Sequence, residues 1–123
     1  MSDETPYGLM PGFEDRVIVY RRLRAKYGTT LQCMVAMEEL AELSQAISKM
    51  VRISKKFEEK LTTDLGEGIV PPAESELLAF SAATSALRGE IADVIIMLEQ
   101  VMMISQIETD QIEDMIYYKM RKL

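Results

Sequence analysis

Glu38-Glu39-Leu40-Ala41-Glu42 and, after an interval of 47 residues, Glu90-Ile91-Ala92-Asp93 decide how this chain is read. Both stretches place carboxylates where a helix should be apolar. An α-helix turns each successive side chain by roughly 100°, so positions three or four apart share a face. With Glu39 as the zero of its helix, Val35, Leu43, Ala46 and Met50 lie within roughly 40° of it, so Glu39 falls inside the apolar arc, flanked by Glu38 and Glu42. With Glu90 as the zero of a second helix, Val94, Met97, Val101 and Ile104 lie within roughly 40° of it and Asp93 about 60° away. Both helices aim acids at packing surfaces.

A carboxylate in low-dielectric surroundings is protonated, paired with a cation, or used to hold a metal. Several acids together repel one another, and few basic residues share these faces, which favours a divalent cation as counter-charge. Oxygen ligands without histidine select a hard ion, Mg²⁺ with Mn²⁺ as a possible substitute. The chain has no histidine, which removes the Glu-x-x-His pairs of di-iron bundles, and its single cysteine removes zinc ribbons.

The rest of the composition frames this site. At 123 residues the chain is expected to form one domain, 13–123, behind an N-terminal arm, 1–12, that carries Pro6, Gly8, Pro11 and Gly12. Hydrophobic residues make up 48% against four prolines and six glycines, which favours an all-α protein. A net charge of −6 and a pI near 4.7 argue against a nucleic-acid polymer as partner, because replacing counterions needs a basic surface. Cys33 has no partner for a disulfide within the chain and no histidine to activate it, so it reads as a small core residue in a reducing compartment. The N-terminus lacks the basic and apolar regions of a signal peptide, and the apolar run Val94–Met103 is too short to span a bilayer. The expectation is a cytoplasmic protein with no membrane contact.

Apolar spacing predicts a first helix from Phe13 to Tyr27, ended by Gly28. A capping-box pattern at Thr29 and Gln32 then opens a second helix from about Thr30 to about Lys60. Residues 62–72, with Gly66, Gly68, Pro71 and Pro72, predict a loop insert. A helix from Ala73 to Leu87 either runs on through Gly89 or bends there before Glu90 to Ile104. The last helix starts at Thr109 or Asp110, shows Ile112, Met115, Ile116 and Met120 on one face, and ends in Lys119, Arg121 and Lys122. Together these make a four- to five-helix bundle. The helix bearing Glu90 is apolar nearly all round, so it needs cover on several sides, and a symmetric homo-oligomer supplies it.

The order and flanks of the two motifs resemble the MazG-like all-α nucleoside triphosphate pyrophosphohydrolases, whose pattern is Glu-Glu-x-x-Glu on one helix and Glu-x-x-Asp on a later one. Glu38, Glu39 and Glu42 match the first part, Glu90 and Asp93 the second, and Glu42-Leu43 and Ala92-Asp93-Val94 read like the family. The resemblance extends from about residue 13 to the end. It implies a Mg²⁺-dependent enzyme that hydrolyses a nucleoside triphosphate between its α and β phosphates, working as a homodimer or homotetramer. Glu39, Glu42, Glu90 and Asp93 are then the metal ligands, with Glu38 a further ligand or the carboxylate that orients the attacking water, so Glu38 and Glu39 are the catalytic candidates. Two features depart from the pattern: the 47-residue interval is long, and Gly89 stands where a second glutamate often precedes the later motif.

Phosphate contacts are drawn from Lys49, one face-turn beyond Glu42, and from Lys119, Arg121 and Lys122, which otherwise pair with local acids or complement a helix end. Tyr20, Tyr27, Tyr117 and Tyr118 are candidates to stack on a base. The alternative is a non-catalytic helical scaffold or nucleotide-sensing module, in which the same acids form a solvated stripe or salt bridges.

Overall fold

The computed structural model describes residues 12–64 and 73–123, and these form four α-helices with no strand among them. Helix α1 is Phe13–Tyr27, α2 Thr29–Asp64, α3 Glu74–Ile104 and α4 Thr109–Met120. The expected arm, apart from Gly12 at the cap of α1, lies outside the described residues, as does the expected loop from residue 65 on.

A single residue separates α1 from α2. Gly28 adopts φ 83°, a region that side chains with a Cβ rarely enter, and its N–H closes α1 on the Arg24 carbonyl at 2.8 Å. Its own carbonyl accepts the Gln32 N–H, so the next helix begins at once. The capping pattern read at Thr29 and Gln32 is therefore not used. Thr29 is already helical, its hydroxyl accepts from the Arg24 guanidinium at 3.2 Å, and Gln32 is buried. At its other end α2 runs past Lys60 to Asp64, because no glycine or proline intervenes before Gly66.

Helix α3 continues through Gly89 without a break. It stops at a left-handed residue, Gln106 with φ 58°, where the N–H of Gln106 bonds the Met103 carbonyl and that of Ile107 reaches back to Met102 at 2.9 Å. This is the Schellman pattern, with glutamine in the place glycine usually takes. The first turn of α4 follows directly. Gln111 Oε1 accepts the Glu108 N–H at 2.8 Å, and Asp110 Oδ1 accepts the Gln111 N–H at 2.9 Å.

The chain forms two compact units, Met1–Ala36 with Ile96–Leu123, and Met37–Ile95. In the first, Tyr20, Gln32 and Ala36 are buried, as are Met97, Glu99 and Gln100. Glu99 is held there by α1: Arg16 forms an ion pair with it and also donates from Nε at 2.7 Å, while the Tyr20 hydroxyl donates to Oε2. In the second unit the buried residues are Ala83 and Val94, with Leu43, Ala46, Met50 and Leu87 half-buried. These positions lie on the helix faces that carry Glu39 and Glu90, as the 100° arithmetic predicts. None of the described helices is long and apolar enough to cross a membrane.

Candidate metal centre

The Met37–Ile95 unit brings three of the predicted ligands together. Glu39 and Glu42, one turn apart on α2, and Glu90 on α3 each offer a carboxylate oxygen, and these oxygens lie within 4.8 Å of one another. Glu39 and Glu90 are half-buried and Glu42 is exposed. One oxygen of Glu39 and one of Glu90 are fully buried without a hydrogen-bond partner. A buried, unpaired carboxylate oxygen is costly, and the usual remedies are a proton or a cation.

The electrostatics agree with the geometry. Burial pushes the Glu39 carboxyl above its ordinary pKa, and the charges of Glu42, Asp93 and Glu90 push it further. Glu90 is raised by burial first, then by Glu42 and Asp93. Every charge acting on these two groups is negative, and among the described residues no lysine or arginine forms an ion pair with either. Asp93, itself exposed, therefore belongs to the same electrostatic cluster as the other three. Such a set, all oxygen and all anionic with two orphaned acceptors, fits a hard divalent cation.

The remaining candidates stand differently. Glu38 is exposed and does not act on the raised carboxyls. Lys49 is exposed on α2. Lys119 and Arg121 lie at the end of α4, in the other unit, where Arg121 sits 5.7 Å from the centre of the Tyr117 ring and Lys122 4.3 Å from that of Tyr118. Tyr27, Tyr117 and Tyr118 are exposed, while Tyr20 is buried with its hydroxyl committed to Glu99, which removes it as a stacking platform.

Sequence reading missed the Arg16–Tyr20–Glu99 cluster. Burial alone would raise the Glu99 pKa, but hydrogen bonds from Arg16 and Tyr20 and the Arg16 charge outweigh it and hold Glu99 low. Burial, followed by the hydrogen bond to Glu99, pushes Tyr20 up to about 12. The available signal was Glu99 itself, an acid in the apolar run Val94–Met103, about 180° around the helix from Glu90. No family model, curated protein or solved structure matches this chain.

Proposed function

We propose that the protein is a Mg²⁺-dependent hydrolase that cleaves a nucleoside triphosphate between its α and β phosphates, releasing the monophosphate and pyrophosphate. The observation that carries this reading is the pair of buried, unpartnered oxygens on Glu39 and Glu90 within a carboxylate cluster that no basic residue neutralises. The order of Glu38-Glu39-x-x-Glu42 and Glu90-x-x-Asp93, similar to the MazG-like enzymes, supports the choice of reaction.

In this reading Glu39, Glu42, Glu90 and Asp93 hold the cation, which supplies neutralisation of the phosphate charge and a water of lowered pKa. Burial of Glu39 and Glu90 fixes their carboxylates on two facing helices, so few rotamers are lost when the substrate arrives. Glu38, exposed beside this cluster in sequence, orients the attacking water and accepts its proton as the new O–P bond forms at the α phosphorus. The α–β bridging oxygen leaves with the pyrophosphate. Lys49 of the same helix is the first choice for a phosphate contact, ahead of Lys119 and Arg121.

The same reading includes a homodimer or homotetramer. Met37, Leu40, Ile47 and Val51 form an exposed apolar row on α2, and Leu77, Ile91 and Ile95 form one on α3. The α2 row steps by three, seven and four residues and the α3 row by fourteen and four, so each stays on one helix face, and apolar rows of this kind mark association surfaces. A cytoplasmic setting, reducing enough to keep the Cys33 thiol free, completes the proposal.

The test is incubation with a panel of canonical and modified nucleoside triphosphates, with Mg²⁺ or chelator, reading pyrophosphate against orthophosphate. Metal-dependent pyrophosphate, lost in Glu39→Gln and Asp93→Asn with helicity retained, supports the assignment. No product from any nucleotide moves the reading to the scaffold or sensor, which the exposed apolar rows favour.

A further inference from the structure

An open groove of about 610 Å³ lies in the other unit, along the first half of α1, the end of α3 and the start of α4, with Arg21, Gln106, Glu108 and Asp110 exposed at its rim. Its size falls within the range of small-molecule sites, roughly 300–1,000 Å³. Phe13 on one side and Met102 and Met103 on another give it an aromatic ring and two thioethers. Thioethers pack well against ring edges, so these walls suit a flat aromatic ligand better than a branched aliphatic one.

The polar residues around it carry both signs. Arg21 lies two turns beyond Phe13 on α1, about 12 Å along the axis, which is close to the length of a nucleoside. Arg21 has no ion-pair partner among the described residues. Gln106 also lines the groove, on a left-handed backbone. Arginine and glutamine side chains are forks that pair two atoms of a base edge at once. Asp110, exposed in the same lining, accepts the Gln111 N–H on Oδ1, and its carboxylate has a second acceptor oxygen. A carboxylate is the group that accepts hydrogen bonds from a ribose diol. Glu108 adds a second negative charge to the lining, so a phosphate-rich ligand meets repulsion there, whereas a neutral ligand with donors and acceptors does not.

We propose that this groove binds an uncharged nucleoside, with its base against Phe13, Met102 and Met103, its base edge read by Arg21 and Gln106, and its ribose hydroxyls donating to Asp110. None of the lining residues belongs to the carboxylate cluster, and binding here needs no metal. A nucleoside has no phosphoanhydride bond, so it is a ligand here and not a substrate of the hydrolysis proposed above.

The experiment is titration of the full chain with adenosine, guanosine, cytidine and uridine in excess chelator, followed by calorimetry and by backbone amide shifts. The expected result is saturable binding of at least one nucleoside, with shifts confined to residues around 13–21 and 102–110. Arg21→Gln and Asp110→Asn each weaken it tenfold or more with an unchanged far-UV spectrum, and Glu39→Gln leaves it intact. Absence of saturation up to millimolar concentration of all four overturns the proposal. So does binding that ignores both Arg21→Gln and Asp110→Asn, or that disappears in Glu39→Gln, since the ligand would then sit elsewhere.

Discussion

Glu39 on α2 and Glu90 on α3 each bury one carboxylate oxygen beyond the reach of any donor, and each is pushed toward its protonated form by burial and by the acids around it. Because their pKa values are raised in the folded state, their contribution to stability is complete below the ordinary carboxylate range and is lost as pH rises through the raised values. The metal-free protein should therefore lose melting temperature from this cluster as pH climbs toward neutrality, and millimolar Mg²⁺ should restore it, since a ligand of the native state stabilises by mass action. Glu39→Gln should raise the metal-free melting temperature at neutral pH and abolish the Mg²⁺ response. Melting curves across pH with and without Mg²⁺ decide this, and a curve indifferent to Mg²⁺ at every pH would count against the metal centre.

The Glu99 cluster has the opposite sign. Its carboxyl is held below the ordinary range in the folded chain, so its contribution is full above that range and disappears as pH falls through the depressed value. Removing one partner leaves a buried charge, a loss of about 3–5 kcal/mol for fully buried pairs. Arg16 is partly exposed, so Arg16→Met should cost about 2 kcal/mol by urea denaturation. Adding Glu99→Leu to Arg16→Met should recover most of the loss. A double variant as unstable as the single one would show that the ion pair is not the source.

Gly89 sits inside α3, and a Cβ built there meets nothing within 4 Å. Helix-interior glycine is about 1 kcal/mol less favourable than alanine. Gly89→Ala should raise the stability of the isolated chain by about that much, some 4 °C in melting temperature. If it stabilises the fold while lowering pyrophosphate release, substrate passes over this point of the helix.

Gln106 carries a left-handed backbone at the end of α3, a conformation costing a residue with a Cβ about 1 kcal/mol. Gln106→Gly should keep the Schellman bonds from Gln106 and Ile107 and gain up to about 1 kcal/mol, partly offset by the freer unfolded chain. Denaturant midpoints with an unchanged slope would confirm it.

The apolar rows of α2 and α3 predict association. Leu40→Lys or Ile91→Lys should shift the protein toward a monomer in sedimentation or light scattering, while the same exchange at exposed Arg22 should not. An assembly state that ignores both substitutions would place the interface elsewhere.

Helical phase was the most legible property of the sequence. Glu39 and Glu90 lie on the half-buried faces that Leu43, Met50, Val94 and Met97 mark, because a 100° step follows from the backbone alone. The stop at Gly28 was equally legible, since only glycine reaches its φ readily. Helix ends without a glycine were not: α2 passes Lys60, and α3 ends on a left-handed glutamine. Pairing was legible least of all. Arg16 and Glu99 are 83 residues apart, and no local rule links them until α1 and α3 meet. The directions of Lys49, Lys119 and Arg121 fall in the same category, since a long side chain on an exposed face has no periodic neighbour to reveal its target.

The boundaries between the two compact units fall at Ala36/Met37 and Ile95/Ile96, inside α2 and α3, where each residue is hydrogen-bonded to the turn before it. There is no linker at either crossing. A fragment excised to carry the acidic cluster alone would begin and end in mid-helix, with four unpaired donors at one cut and four unpaired acceptors at the other. The halves are thus not interchangeable modules, and an insertion of one residue at either crossing would rotate one part of the helix by roughly 100° against the other. Length changes within α2 or α3 therefore carry this cost wherever they fall, and those two helices hold more than half of the chain's residues.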